Sequence, residues 1–161
     1  MHRYLVIQLA RFGDLVQTTR LVKTLSQIGE VSLVVDESLT GLAGLLFPNA
    51  QTHGLRAHAA GGRPGPELAG VVDTLKGLDF EQVFNLNYSG LNFALAAAFD
   101  PDRIRGYRMR GGQRLMDPWP NLGFRLMQER TRAPLNLVDM WAHLAQEAGI
   151  APLEPSQVNP I

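Results

Sequence analysis

The sequence contains no cysteine. Disulfides and thiolate metal sites are therefore excluded, and a reducing compartment is compatible. Aromatic residues make up only 7% against 45% hydrophobic residues in all, so the core is expected to come from aliphatic strands and Ala/Leu-rich helices. No stretch approaches the ~18 uninterrupted apolar residues that a membrane-spanning helix needs. The opening run Met1 to Leu9 lacks a basic segment followed by a long apolar one and a cleavage site. These absences point to a cytoplasmic chain and leave contact with a membrane surface open. The sequence shows no internal repeat and no low-complexity tract. His2, His53, His58 and His143 have no metal-ligand spacing, so no metal site is expected. The 161 residues suit one domain, which at this size buries about two thirds of its unfolded surface.

Strand and helix patterns alternate along the chain. Tyr4–Leu9 is short, apolar and partly β-branched, as a buried strand is. Gly13 and Asp14 follow a short turn. From Leu15 the spacing turns helical, with Leu15, Val16, Thr19, Val22, Leu25 and Ile28 on one side, and Gly29 stops the helix. Val31–Val35 is a second strand, which completes a βαβ crossover and implies parallel strands. Ser38 can cap a short helix reaching Phe47, and 51–55 suits a short strand. Residues 56–66 are rich in Gly, Ala and Pro and read as a loop. A helix is expected over 66–78, a strand over 80–86, and an Ala-rich helix from its cap Ser89 to about Phe99. Arg103–Arg108 fits an edge strand. Gly111, Gly112, Pro118 and Pro120 then interrupt regular structure. Asn136 opens a last helix, with Leu137, Met140, Trp141 and Leu144 at helical spacing and Asp139 three residues after the cap. The result is an α/β, Rossmann-like open parallel sheet with helices on both faces over 1–150. Residues 151–161, with three prolines, read as the start of a linker.

In such sheets ligands sit beyond the carboxyl ends of the strands, near a topological switch point. The loop after the first strand, Ala10-Arg11-Phe12-Gly13-Asp14, is therefore the first candidate. Gly13 lets a backbone approach a ligand closely, and a helix N-terminus favours anions. Asp14 has two readings: a first-turn carboxylate that stabilises its helix, or a general base that takes a proton from an attacking hydroxyl. The dinucleotide pattern G-x-G-x-x-G is absent. Asn85, Asn87 and Tyr88 end a strand at the same mouth, and either bind hydroxyls or cap the next helix. Trp141 and Met140 are expected in the core, and Trp119 in a packed loop or interface. Charge is zero overall but uneven. Residues 102–132 hold eight arginines, Arg108, Arg110 and Arg114 among them, against Asp102, Asp117 and Glu129. This local excess of five positive charges suits an anionic partner. No nucleic-acid motif accompanies it, which argues against a nucleic-acid partner.

The run Tyr4-Leu-Val-Ile-Gln-Leu-Ala-Arg-Phe-Gly-Asp-Leu-Val-Gln-Thr-Thr19 resembles the opening of glycosyltransferase family 9, which includes the ADP-heptose:lipopolysaccharide heptosyltransferases. That opening is a strand, a Gly-Asp pair and an aliphatic helix start with a Thr pair. Asp79 with Phe80–Leu86 resembles the family's "FD-x-V" strand. Arg103-Ile-Arg-Gly-Tyr-Arg108 resembles its "R-x-G-Y" segment, and Asn136-Leu-Val-Asp-Met-Trp141 its last helix before the interdomain region. The likenesses run in order over nearly the whole chain. Two positions depart from the pattern: Gln8 stands where many members have a basic residue, and Arg20 where many have proline.

The resemblance implies the N-terminal, acceptor-side half of a GT-B fold. The C-terminal donor-binding domain is expected to be absent, which would leave the isolated fragment inactive. Asp14 matches the proposed catalytic base of an inverting, metal-independent heptose transfer. Arg11, Gly13, Thr18 and Thr19 match positions that line the interdomain cleft. Asn87, Tyr88, Arg108 and Arg110 would complete the acceptor site, with arginines on phosphates or carboxylates. No cofactor is implied, and a nucleotide-sugar donor such as ADP-heptose would be held mainly by the missing domain. The partners implied are that donor and an anionic glycolipid acceptor. Peripheral contact with the inner membrane and self-association through the exposed interdomain face are compatible with this assignment. The competing reading is a non-catalytic α/β module that binds an anionic partner.

Overall fold

The computed structural model describes residues 1–128 and 136–158, with Met127 described by its backbone alone. Six strands form one sheet: β1 (Arg3–Gln8), β2 (Glu30–Asp36), β3 (Gln51–Leu55), β4 (Gln82–Asn85), β5 (Ile104–Arg110) and β6 (Gln113–Met116). Their order is β3-β2-β1-β4-β5-β6. The first five strands are parallel, and β6 alone runs antiparallel, against β5. The chain moves outward from β1 through β2 to β3, then returns to the other side of β1 for β4. The switch point thus lies between β1 and β4.

Successive residues of β1 face opposite ways. Tyr4 and Val6 join one core with Leu21, Val22, Leu25, Phe84, Trp141 and Leu144. Leu5 and Ile7 join a second core with Leu75, Val83, Leu91 and Leu95. Helices therefore cover both faces. The first core is covered by α2 (Thr19–Ile28), α3 (Thr40–Leu46) and α7 (Leu137–Glu147), and the second by α4 (Glu67–Lys76) and α5 (Gly90–Ala96). Met140 and Trp141 are core residues as expected. Asn136 and Ser89 cap α7 and α5, accepting from the amides of Val138 and Asn92.

Three expectations need correction. The helix read as continuous from Leu15 to Ile28 is two helices, α1 (Phe12–Gln17) and α2, separated at Thr18. The hydroxyls of Thr18 and Thr19 donate to the carbonyls of Leu15 and Val16. Such side-chain bonds compete with the helical ladder and let it break. Gly111 and Gly112 do not end regular structure. At φ of 56° and 78° they form the two-residue turn that a hairpin favours, and β6 rather than β5 becomes the edge strand. Pro118 and Pro120 open α6 (Pro118–Gln128), because the first helical turn needs no amide donors. Trp119 in that helix stacks on His143, with centroids 4.4 Å apart.

Gly106 is a strict requirement of β5. Its φ is +95°, and a Cβ there would lie 2.2 Å from the Asn85 carbonyl oxygen of the neighbouring strand. Residues 151–158 lie along α2. Buried Arg20 donates to the Leu153 carbonyl at 2.6 Å and to Asp139 at 2.7 Å, and the Leu153 amide donates to the Thr24 hydroxyl at 3.0 Å. The segment expected to be a linker is thus clasped to the domain as far as it is described. Glu129, Arg130 and Arg132 of the arginine-rich segment, and residues 159–161, lie outside the described residues. No described helix is long and apolar enough to cross a membrane.

Candidate functional site

Beyond the carboxyl ends of β1 and β4 lies an open groove of about 330 Å³. Its walls are the β1–α1 loop (Leu9, Ala10, Arg11), the loop after β3 (Ala57, His58, Gly61, Gly62) and the segment after β4 (Asn87, Tyr88, Ser89, with Asn92). Another hollow of about 250 Å³ lies between Arg3, Glu30 and Phe80. It sits at the amino ends of the strands, where α/β sheets do not bind ligands.

The groove is braced by amide side chains. The Leu9 N–H donates to Asn87 Oδ1 at 2.7 Å, joining the loops on either side of the switch point. Asn87 Nδ2 has no protein partner among the described residues. Fully buried Gln8 accepts from the Ala10 N–H at 3.3 Å and reaches the Asp14 carbonyl at 3.4 Å, so it spans the β1–α1 loop. Asn92 donates to Asn85 Oδ1, and Asn85 donates to the Tyr107 carbonyl, each at 2.8 Å. Asn85 is therefore a wholly interior bridge and never reaches the groove.

Asp14 stands one hydrogen bond from the groove wall. Its Oδ2 accepts the Arg11 N–H at 3.2 Å, the geometry of a carboxylate that closes its own helix start. Its Oδ1 has no partner among the described residues. Gly13 is exposed, its φ is not positive, and a Cβ on it would meet nothing within 4 Å. The fold itself does not require glycine there. At six residues, α1 is too short to offer the full dipole expected of one long helix.

The other expected site residues divide. Arg11 and Tyr88 are exposed in the groove, and Arg11 has no partner for its guanidinium among the described residues. Thr18 and Thr19 are buried with both hydroxyls committed to backbone carbonyls, so they do not face the mouth. Arg108 is paired with Asp117 and Arg110 with Asp102. Arg114, from the same segment, lies against Tyr88 of the groove wall. It has no carboxylate partner among the described residues, and its guanidinium lies 5.3 Å from the Tyr88 ring centroid and 4.7 Å from that of Phe93. Tyr88 in turn packs edge-on against Phe93 and Tyr107. Sequence spacing gave no way to separate Arg114 from its neighbours, since the choice depends on which arginines find carboxylates.

Sequence reading also missed a cluster across the groove. Asp36, at the end of β2, is 2% exposed. Its Oδ2 accepts the His58 backbone N–H at 2.7 Å, and Oδ1 accepts the Ser38 N–H at 3.1 Å and the Ser38 hydroxyl. Burial alone would raise the Asp36 carboxyl. The Ser38 hydroxyl, the His58 and Ser38 amides and the His58 ring outweigh it and hold the group below the ordinary carboxylate value. The His58 ring lies with Nδ1 3.3 Å from Asp36 Oδ1 and Nε2 3.1 Å from the Ala10 carbonyl. Among the described residues no group of three or more metal-ligating side chains occurs.

No protein-family model matches the chain, and no curated protein matches it. Its fold is similar to a crystal structure described as the glycosyl transferase family 9 from Veillonella parvula DSM 2008, with a TM-score of 0.62 and 17% identity. The match covers 93% of this chain and 42% of that one, so the chain spans less than half the length of the protein it resembles. At this identity the likeness establishes the architecture, a Rossmann-like α/β layer of the kind found in that transferase.

Proposed function

We propose that this chain is the acceptor-side half of an inverting, metal-independent glycosyltransferase. It would move a heptose or related sugar from a nucleotide sugar to a lipopolysaccharide or other anionic surface glycan. The observation that carries the reading is the placement of Asp14. Its carboxylate, with Oδ1 unpartnered among the described residues, is bonded through Oδ2 to the N–H of Arg11 in the wall of the switch-point groove, in a fold similar to that of a glycosyl transferase family 9 structure.

In this reaction Asp14 takes the proton of an acceptor hydroxyl as that oxygen bonds to the anomeric carbon of the donor. The bond from that carbon to the nucleotide diphosphate breaks, its electron pair leaves with the diphosphate, and the anomeric configuration inverts. The Arg11 N–H holds Oδ2, which leaves Oδ1 for the proton. Arg11 and Arg114, which have no carboxylate partner among the described residues, offer guanidinium groups for acceptor phosphates or carboxylates. Tyr88 provides an aromatic surface beside them, and Asn87 Nδ2 a donor for a sugar hydroxyl. The donor would be bound mainly by a second domain.

The test is transfer from ADP-heptose to a deacylated lipopolysaccharide core by the full-length protein, wild type and Asp14→Asn. A rate loss of roughly 10²-fold or more in the folded variant supports the base. Equal turnover of the two makes Asp14 a helix cap and removes the catalytic assignment.

One observation favours a second reading, a non-catalytic module for an anionic partner. The Arg11–Asp14 bond is what a purely structural cap would make. In that case the core oligosaccharide binds, depends on Arg11 and Arg114, and is never glycosylated.

A further inference from the structure

Ala10 and Arg11 share one peptide group, and its two polar edges are held from opposite sides. Its carbonyl oxygen faces His58 Nε2 at 3.1 Å, and its N–H donates to Asp14 Oδ2 at 3.2 Å. The peptide is planar and stiff, so turning one edge turns the other. On its far side the His58 ring faces Asp36, with Nδ1 3.3 Å from Oδ1. Asp36 is itself fixed by three hydrogen bonds and buried. Buried carboxylate, ring, peptide plane and Asp14 thus form one line from the end of β2 to the candidate base.

Both ring nitrogens face oxygen atoms that can only accept. The Nε2 contact has hydrogen-bond geometry, so this nitrogen carries a hydrogen and donates to the Ala10 carbonyl, while Nδ1 stands within ion-pair range of Asp36. Other charges around the ring are few. Glu37, next to Asp36, is paired with Arg56 at 3.0 Å, and Arg11 shares the groove with the ring. Asp36 is the ring's only ion-pair partner among the described residues.

The geometry points to His58 as a positioning residue for Asp14. Donating from Nε2 to the Ala10 carbonyl, with Asp36 beside its other nitrogen, it locks the Ala10–Arg11 peptide and so fixes the direction of the Asp14 carboxylate. The inference rests on the transferase reading for its purpose, but its structural content stands apart from it. His58 is part-exposed on the groove wall, so its replacement removes the clamp without opening a core.

The test uses the labelled chain itself, with no substrate. The ¹⁵N shifts of the His58 ring in wild type should show a hydrogen on Nε2. Exchange of the Arg11 amide should be about 10-fold faster in His58→Phe than in wild type at the same pH. In His58→Gln, whose side-chain N–H can again reach the Ala10 carbonyl, it should return to within about twofold. Exchange of the Val6 and Ile7 amides in β1 should be equal in all three proteins, which separates a local effect from a loss of fold. A ring without a hydrogen on Nε2 overturns the proposal. So does an Arg11 amide indifferent to the Phe variant, or one that Gln does not recover. An inactive enzyme with a locked Arg11 amide would instead count against the transferase reading alone.

Discussion

Arg108 donates to Asp117, and Asp117 also accepts the Gly106 N–H at 2.7 Å. An arginine expected to meet a ligand is therefore the internal tie of the β5–β6 hairpin. Arg108→Met should lower unfolding free energy by about 1–3 kcal/mol, because the nearly buried Asp117 carboxylate loses its counter-charge. It should leave affinity for a deacylated lipopolysaccharide core almost unchanged. Arg114→Met should do the reverse: a stability loss of at most about 1 kcal/mol, from its cation–π contacts, and an affinity loss of about 10-fold. Urea unfolding and calorimetric titration of both variants check the split.

Gly13→Ala separates a ligand's needs from the chain's. The position is helical and open, so alanine should raise stability by about 0.5–1 kcal/mol. If an acceptor or donor passes close over this backbone, the same methyl should weaken binding or turnover. A variant that is stabler and fully active would mean that nothing approaches Gly13.

Asp36 should shape the acid limb of the stability curve. Its folded-state carboxyl lies below the ordinary value, so its contribution is complete above the unfolded value of about 3.9 and is lost as pH falls through the lower folded one. Wild type should exceed Asp36→Asn most above the unfolded value, and the two should converge as pH falls through the lower folded one. Urea midpoints measured from pH 2.5 to 7 decide it. A constant gap across that range would show that the carboxylate's charge plays no part.

Arg20→Met should free the C-terminal segment. The guanidinium holds the Leu153 carbonyl and Asp139, and its loss leaves the Thr24–Leu153 bond among the remaining ties of 151–158 to α2. Proteolysis after residue 150 should quicken by about 10-fold while the strands stay protected. Unchanged cleavage would mean that apolar contact of the tail suffices.

The architecture was legible because its signals are local. Val31–Val35 and Tyr4–Leu9 are apolar runs that only a doubly covered strand explains, and Asn136 and Ser89 mark helix starts by their side-chain oxygens. The errors occurred where one residue type serves opposite ends. Gly111 and Gly112 break a helix but make a hairpin turn, and Pro118 ends one pattern while opening another. The site was legible as a place but less so as a set of residues. Position after β1 pointed to the loop whose Arg11 lines the groove, with Asp14 bonded to its N–H. Which of the arginines stays unpaired, and which histidine meets a carboxylate, depends on contacts such as Asp36–His58 and Arg108–Asp117 that no local spacing encodes.

The bond between Leu9 and Asn87 joins residues 78 apart in the chain, and β1 pairs with β4 across the same span. The β5–β6 hairpin, by contrast, closes over two residues. Closing a long loop costs more chain entropy than closing a short one, and distant pairings form slowly. The groove lies between the two strands whose meeting closes the longest gap in the sheet. The groove therefore exists only once the most distant pairing of the sheet has formed.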